Sequence, residues 1–373
     1  MGVLTGLRIV ELAGLGPGPF AGMLLADLGA DVILVERPEA EASVTNTGSA
    51  MIVNRGKRSI AIDLKQPEGV ETVLRLVERS DALIEGMRPG VAERLGIGPE
   101  QCHSRNSALV YGRMTGWGQD GPLAHVAGHD INYIGLSGAL FYSGEAGRPP
   151  FSPPTLVGDI GGGALYLAVG ILAAVLAARS DGKGRVVDAA IVDGSAHMMN
   201  LLLSLNADNP RAFERGQTLL DGPHWYRAYR CADSEYVTIG PVEPKFYSLL
   251  MEKLGLADDP AFAAQYDPVV WPTLGARLER LFATRTAAEW RVLLEGTDIC
   301  FAPVLTPTQS AEHPHMAARE IYSRAHGVLQ ARAAPRFVGE EVPDPPSVPR
   351  NGEHSSEILR EIGMAPLETI NNN

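Results

Sequence analysis

Hydrophobic positions in the first half of the chain fall into short continuous runs separated by longer segments with helical spacing. Residues 7–13 and 31–36 are apolar runs typical of buried strands, and residues 20–28 between them have the spacing of a helix. The same alternation predicts a helix over 67–79 and further strands over 59–63, 81–85, 108–112 and 185–192. Strands that alternate with helices in this way pair in parallel through right-handed crossovers, so we expect a doubly wound parallel α/β sheet.

The pattern changes after residue 205. Residues 206–225 are polar and interrupted by Asn209-Pro210 and Gly216, which is typical of a linker. Residues 226–239 alternate as a hairpin, and several helices are predicted after it. We therefore predict a large α/β domain over 1–205, a linker over 206–225, a smaller α+β domain over 226–325, and a C-terminal segment over 326–373 that returns to the large domain.

Two groups able to transfer protons each follow a glycine and precede an apolar run. His129 stands before the predicted helix at 131–142, and Asp159 stands before the one at 164–178. A helix N-terminus offers unpaired N–H groups and partial positive charge. An acid, a base and such a helix end are the groups needed to remove a proton next to a carbonyl group. A structural histidine and a simple helix cap remain the alternatives for these two residues.

Basic and turn residues follow several predicted strands of the sheet. The ligand crevice of an open α/β sheet lies outside the carboxyl ends of its strands, and arginine suits phosphate because its guanidinium donates two parallel hydrogen bonds. Together with the neighbours of His129, the candidate binding residues are Arg37, Arg55, Arg58, Asp63, Leu64, Lys65, Gly86, Met87, Arg88, Arg94, Gly128, Asn132 and Tyr133. Ordinary solvated charges are the alternative. The segment Gly14-x-Gly16-x-x-Pro19 lacks the third glycine of a dinucleotide fingerprint, so it is a weak signal for NAD.

Composition narrows the class of protein. The chain has 373 residues, 45% of them hydrophobic, and a net charge of −12. That charge argues against nucleic acid as a partner. The run at 160–178 has no charge and is long enough for a membrane span, but we expect a helix buried in the protein or at a subunit interface. The three cysteines form no CxxC pair, no signal peptide is visible, and a cytoplasmic protein without a bound metal is expected.

Six segments follow, in order, the pattern of a known family. The sequence resembles the family III CoA-transferases, and within them the α-methylacyl-CoA racemases, from the N-terminus to about residue 307. The matching segments are Leu7-Arg-Ile-Val-Glu-Leu-Ala, Asn54-Arg-Gly-Lys-Arg-Ser-Ile, Arg88-Pro-Gly, Gly112-Arg-Met-Thr-Gly-Trp-Gly, Gly128-His-Asp-Ile-Asn-Tyr and Gly158-Asp-Ile-Gly-Gly-Gly.

The resemblance implies a CoA-binding α/β domain, a small domain and an interlocked homodimer. It implies that CoA lies along the strand ends with Arg37 and Arg94 near its phosphates. It further implies that His129 and Asp159 are the two bases, that Glu243 of the small domain orients the histidine, and that Tyr226 lines the site. The substrate would be an acyl-CoA thioester, with CoA as part of the substrate and no separate cofactor.

The chemistry of racemisation agrees with two bases. Exchanging the configuration of a 2-methylacyl thioester requires removal of the α-proton from one face and its return on the other, which one base cannot do. Imidazole and carboxyl groups differ in intrinsic pKa, so modest tuning places one proton on either group. The N–H of Asp130 at the predicted helix start could stabilise the enolate oxygen.

Three other functions stay open. Transferases of the same superfamily use an aspartate as nucleophile, which by resemblance is Asp130. The residue before it separates the two activities, because racemases have histidine there and transferases usually have an aromatic residue. A nicotinamide absorbance change on turnover would indicate an oxidoreductase. CoA binding without turnover would indicate a binding module.

Overall fold

The computed structural model describes residues 2–38 and 51–365 and divides the chain into two compact units. The first unit contains Met1–Ala139, Pro153–Met198 and Ala317–Asn373, and the second contains Leu140–Ser152 and Met199–Met316. These boundaries differ from the expected ones because residues 140–152 and 199–225 group with the second unit and residues 317–325 with the first. Tyr142 donates a hydrogen bond of 2.8 Å to the carbonyl of Ala212, a partner that is distant in sequence.

A parallel sheet forms the centre of the first unit. Its six strands are β1 (Arg8–Leu12), β2 (Asp31–Glu36), β3 (Arg58–Ala61), β4 (Ala82–Glu85), β5 (Val110–Thr115) and β6 (Arg185–Ala190). The strand order is β3-β2-β1-β4-β5-β6, and every neighbouring pair is parallel. This confirms the predicted doubly wound sheet. The order reverses between β1 and β4, which is where such sheets open a ligand crevice at their carboxyl ends.

Helices cover both faces of this sheet because successive strand residues point to opposite sides. Ile9 joins the core under α1 (Pro17–Asp27) and α6 (Leu165–Asp181). Its neighbour Val10 joins the other core. That second core includes side chains of four helices, α2 (Pro67–Val77), α3 (Val91–Leu95), α4 (Pro99–Arg105) and α14 (Ser355–Glu361).

The remaining elements of the first unit lie between strands in the sequence, directly after β6, or in the C-terminal part of the chain. They are a 3-10 helix (Ile52–Asn54), α5 (Asp130–Leu136), a π-helix (Leu156–Ala164), α7 (Ile191–Met198), β10 (Tyr322–Ser323), a 3-10 helix (Ala325–Gly327) and β11 (Gln330–Ala331). Strands β10 and β11 pair in antiparallel fashion.

The second unit has its own antiparallel sheet and its own aromatic core. Trp225, Phe282 and Trp290 are central in that core, and they are buried. The sheet has the order β7-β8-β9. The elements are α8 (Asn200–Leu205), β7 (Arg227–Arg230), β8 (Tyr236–Ile239), α9 (Pro244–Lys253), a 3-10 helix (Pro260–Ala263), α10 (Trp271–Phe282), α11 (Ala287–Leu294), β9 (Phe301–Val304) and α12 (Pro307–Glu312), with α13 (Pro314–Ala318) at the boundary.

The π-helix runs directly into α6. Together they form a helix over Leu156–Asp181 that is long and apolar enough to cross a membrane by length and composition, and 44% of its most apolar stretch is buried within the protein. Leu167 and Ile171 face the sheet and belong to its core. Val169 and Leu176 lie on the outer side and are exposed. One face of this helix is thus a core element of the first unit.

Candidate active site

Asp130 and Asp159 are joined by a hydrogen bond in the first unit. The backbone N–H of Asp159 donates to Oδ1 of Asp130 at 2.8 Å. A Cβ on Gly158 would lie 2.4 Å from that same oxygen, so only glycine permits the close approach. The start of α5 is therefore fixed against the π-helix, and the two segments highlighted in the sequence lie together.

The Asp159 carboxyl group is half-buried, and its surroundings act on its proton affinity in opposite directions. Burial raises the pKa of Asp159, and the neighbouring charge of Asp130 adds to the increase. A hydrogen bond of 2.9 Å from the Thr155 hydroxyl to Oδ2, together with the charge of His129, acts to lower it. The net effect is a pKa raised from the ordinary value of an aspartate, which makes the group a stronger base when ionised.

The helix boundaries at this site differ from those predicted. Asp159 does not cap a helix, because it is the fourth residue of the π-helix that begins at Leu156. The helix that follows His129 ends at Leu136 rather than at Tyr142, and Gly138 beyond it has a positive φ of 86°. π-helical turns are rare in proteins, and those that occur are often found at functional sites. The glycine-rich sequence after Asp159 did not predict this geometry.

His129 occupies the N-cap position of α5, and its side chain is exposed. Its backbone N–H donates to Oδ1 of Asn132 at 3.0 Å, so Asn132 caps the helix. Tyr133 is buried, stacks edge-on against Trp117, and donates its hydroxyl hydrogen bond to the carbonyl of Gly128. Asn132 and Tyr133 thus have structural roles here, holding the backbone on either side of His129.

Tyr133 also links this site to the edge of the sheet. Burial raises the pKa of Tyr133, the charge of Asp159 adds to the increase, and the charge of Arg88 opposes it. A carboxylate of the acid–base group and a guanidinium of the predicted binding edge therefore lie within electrostatic range of one hydroxyl group.

The predicted binding residues at the point of strand reversal are accessible. Gly86, Met87 and Arg88 follow β4 directly, and Gly86 and Arg88 are exposed. Arg94 lies on α3 and is exposed, as is Arg37, which follows β2. After β3, Oδ1 of Asp63 accepts the N–H of Lys65 at 2.9 Å, and Leu64 packs against the core. These residues all belong to the carboxyl edge of the sheet.

Two predicted binding arginines have other partners, which corrects their assignment. Arg55 is buried and pairs with Asp27 at 2.6 Å, and its guanidinium also donates to Gln330 at 2.8 Å. Arg58 pairs with Asp31 at 2.7 Å and with Glu361 at 2.8 Å. Arg55 therefore joins α1 to the C-terminal segment, and Arg58 joins β2 to α14. Neither arginine is retained as a ligand-binding residue.

Glu243 and Tyr226 belong to the second unit. Glu243 is the N-cap residue of α9 and is exposed. Tyr226 is 39% exposed. Its ring would lie 3.5 Å from a Cβ atom placed on Gly240, in the segment that leads to Glu243. Within this unit the Tyr226 ring therefore lies beside the segment that joins β8 to Glu243.

Among residues 2–38 and 51–365, no group of three or more histidine, cysteine, aspartate or glutamate side chains could hold a metal ion.

The strand order of the first unit defines a doubly wound α/β protein. The sequence matches the profile of the CoA-transferase family III over residues 4–355. It is 40% identical to the α-methylacyl-CoA racemases of Mus musculus, covering 99% of this chain and 95% of the relative, and of Homo sapiens, covering 98% and 94%. A CaiB/BaiF family protein from Brucella suis has a similar structure, with a TM-score of 0.82 and 28% identity over 97% of this chain and 99% of that one.

The protein is a member of the CoA-transferase family III, because the profile covers nearly the whole chain and the fold agrees with that of a solved relative.

Proposed function

We propose that this protein is a racemase that interconverts the (2R) and (2S) forms of 2-methylacyl-CoA thioesters. His129 and Asp159 are the two bases. The observation that supports the pairing most directly is the 2.8 Å hydrogen bond between Asp130, the neighbour of His129, and the backbone of Asp159. The 40% identity to proteins named α-methylacyl-CoA racemase supports the substrate class.

The proposed reaction removes one proton from the α-carbon and adds one proton to its opposite face. One base removes the α-proton of the thioester, and the electron pair of the C–H bond becomes the enolate. The conjugate acid of the other base then protonates the opposite face. Proton transfer of this kind needs neither a redox cofactor nor a metal, and CoA enters as part of the substrate.

The raised pKa of Asp159 suits this role. A carboxyl group of ordinary acidity would hold a proton too briefly near neutral pH to return it to the enolate. Burial shifts the pKa of Asp159 upward, towards the value at which the group serves both as acid and as base. The N–H of Asp130, in the first turn of α5, is the candidate donor to the enolate oxygen.

CoA is proposed to bind along the carboxyl edge of the sheet at Gly86, Met87, Arg88, Arg94 and Arg37. This edge is exposed at the reversal between β1 and β4, and the guanidinium groups suit phosphate. Glu243 and Tyr226 are kept as candidates on the resemblance alone.

The CoA-transferase activity, with Asp130 as nucleophile, is the competing proposal. One oxygen of Asp130 is bonded to the Asp159 backbone, and the residue before it is histidine rather than an aromatic residue. A carboxylate engaged in holding two segments together is a poorer nucleophile than a free one, which favours the racemase.

The experiment is proton NMR of (2S)-2-methylacyl-CoA in D₂O with the enzyme. A racemase incorporates deuterium at C2 and produces the (2R) form. A transferase leaves the α-proton in place and turns over only when a carboxylic acid acceptor is added. Absence of exchange together with CoA transfer to such an acceptor would refute the proposed function.

A further inference from the structure

A cluster of charged side chains at the carboxyl ends of β4 and β5 lies outside the His129 and Asp159 group. Arg113 of β5 and Glu85 of β4 are both buried, and Nε of Arg113 lies 3.6 Å from Oε1 of Glu85. Burying two charges is costly unless each is paired and hydrogen-bonded. The proposed chemistry uses neither residue, so the cluster needs another explanation.

The guanidinium of Arg113 connects three different segments. Besides Glu85, it bonds through Nη2 to the carboxylate of Glu93 on α3 and through Nη1 to Oε1 of Gln119 at 2.6 Å. A planar guanidinium holds such partners in a fixed arrangement. The side chain therefore ties α3 to the sheet by one arm and the loop after β5 by another.

The segment between β4 and residue 97 is fixed at its other points by the same two strands. Oε2 of Glu85 accepts the backbone N–H of Met87 at 2.6 Å, at the start of the turn. The hydroxyl of Tyr111 on β5 donates to the carbonyl of Ile97 at 2.9 Å, just after α3. The intervening chain contains Arg88 and Arg94, and both are exposed.

We propose that Arg113 is a positioning residue for CoA binding, which acts through Glu93 and Glu85 to hold α3 and the turn after β4 so that Arg94 and Arg88 meet the phosphates. This inference rests on the proposed CoA site. Ordering two arginine-bearing segments before the ligand arrives removes an entropic cost from binding. The contacts that Arg113 makes are the same in the substrate complex and in the transition state. We therefore expect Arg113 to affect the affinity for CoA and not the rate of the chemical step.

The test removes one arm of the cluster at a time. Glu93→Ala breaks the arm to α3, and because the Glu93 side chain is 42% exposed its loss is compatible with folding. We expect Glu93→Ala to raise the Kd for CoA, measured by calorimetry, roughly five- to tenfold. Arg94→Ala sets the upper limit of the effect. Gln119→Ala is the matched control, because it breaks the other arm of Arg113 and should leave the Kd for CoA unchanged.

Pantetheine, which lacks the nucleotide phosphates, separates positioning from general damage. Glu93→Ala should leave the Kd for pantetheine and the kcat of α-proton exchange within about twofold of wild type. An unchanged Kd for CoA, or an equal loss for CoA and pantetheine, overturns the inference. The Kd for CoA can be measured without turnover. A protein that binds CoA in this pattern but exchanges no α-proton would therefore keep the inference and refute the racemase.

Discussion

At the residue scale, the acid–base pair is asymmetric. His129 is exposed at the N-terminus of the short helix α5. The Asp159 carboxyl group, in contrast, is half-buried, belongs to a residue of the π-helix and accepts a hydrogen bond from Thr155. If the two groups serve opposite faces of the α-carbon, each should be the base for one enantiomer. Single substitutions should then affect the two enantiomers differently.

Asp159→Asn should abolish racemisation in both directions, because each direction needs both groups. Asparagine is close in size but cannot exchange a proton. His129 can still remove and return a proton on its own face, so the variant should exchange the α-hydrogen of one enantiomer with solvent and retain its configuration. The loss for the other enantiomer should be about 10² to 10⁴ in rate.

Deuterium uptake into separately prepared (2R) and (2S) thioesters measures this. His129→Ala is the matched variant and should show the opposite preference in any exchange that remains. Near wild-type racemisation by Asp159→Asn would reduce Asp159 to a structural residue. Equal loss with both enantiomers would mean that the pair acts as one relay.

Thr155→Val should shift the pH dependence of the reaction. The Thr155 hydroxyl acts to lower the pKa of Asp159, so its removal should raise that pKa further. The acidic limb of kcat/KM for the enantiomer that uses Asp159 as base should move upward by roughly half a unit to one pH unit.

Valine has the shape of threonine, and both bear a branched side chain at the positive φ of 59° found here. Thr155→Ser keeps the hydroxyl and serves as the control. An unshifted limb in Thr155→Val would show that the hydrogen bond does not tune the catalytic carboxyl group.

At the element scale, strand β4 ends in a buried carboxyl group. Burial raises the pKa of Glu85 from its ordinary 4.5 to about 7, and the charges of Glu93 and Asp188 add to the increase. The hydrogen bond from the Met87 N–H and the charge of Arg113 act to lower it. The folded protein therefore binds this proton more tightly than the unfolded chain does. The stabilisation from Glu85 is complete below about pH 4.5 and is lost as pH rises through about 7.

Glu85→Gln should remove this pH dependence. Glutamine can still accept the N–H of Met87, and it bears no charge. Relative to wild type, the variant should gain about 1–3 kcal/mol of unfolding free energy between about pH 5 and about pH 8. Urea unfolding at the two pH values measures the gain. The same difference at both values would show that Glu85 does not titrate in this range.

At the scale of the whole molecule, the outer face of α6 is apolar, and none of the residues described at 2–38 and 51–365 covers it fully. Leu165, Val169 and Leu176 recur on one side of the helix and are 42%, 67% and 70% exposed. Such a stripe normally packs against something. The resemblance implies an interlocked homodimer, so we propose that a second copy of the chain covers it.

Light scattering coupled to gel filtration should give twice the mass of one chain. Leu176→Glu places a charge in the stripe and should shift the protein towards monomer or aggregate, while Arg179→Glu at the end of the same helix serves as a charge control. Arg179 is exposed, although it also pairs with Asp81 at 3.3 Å. A monomeric wild type would exclude the dimer.

The sequence by itself determined the fold class. Alternating buried strands and amphipathic helices are local patterns, because side-chain direction repeats with a period of two in a strand and 3.6 in a helix.

Only the tertiary structure decided which charged residues serve which purpose. Arg55 and Arg58 looked like ligand-binding groups, but Gln330 and Glu361, hundreds of residues later in the chain, take their hydrogen bonds. Within the π-helix, the backbone N–H of Asp159 donates to Asp130, a partner 29 positions earlier in the chain. Such pairings depend on how distant segments meet in space, and the free energy of a charge depends on its neighbours there, so no local pattern could reveal them.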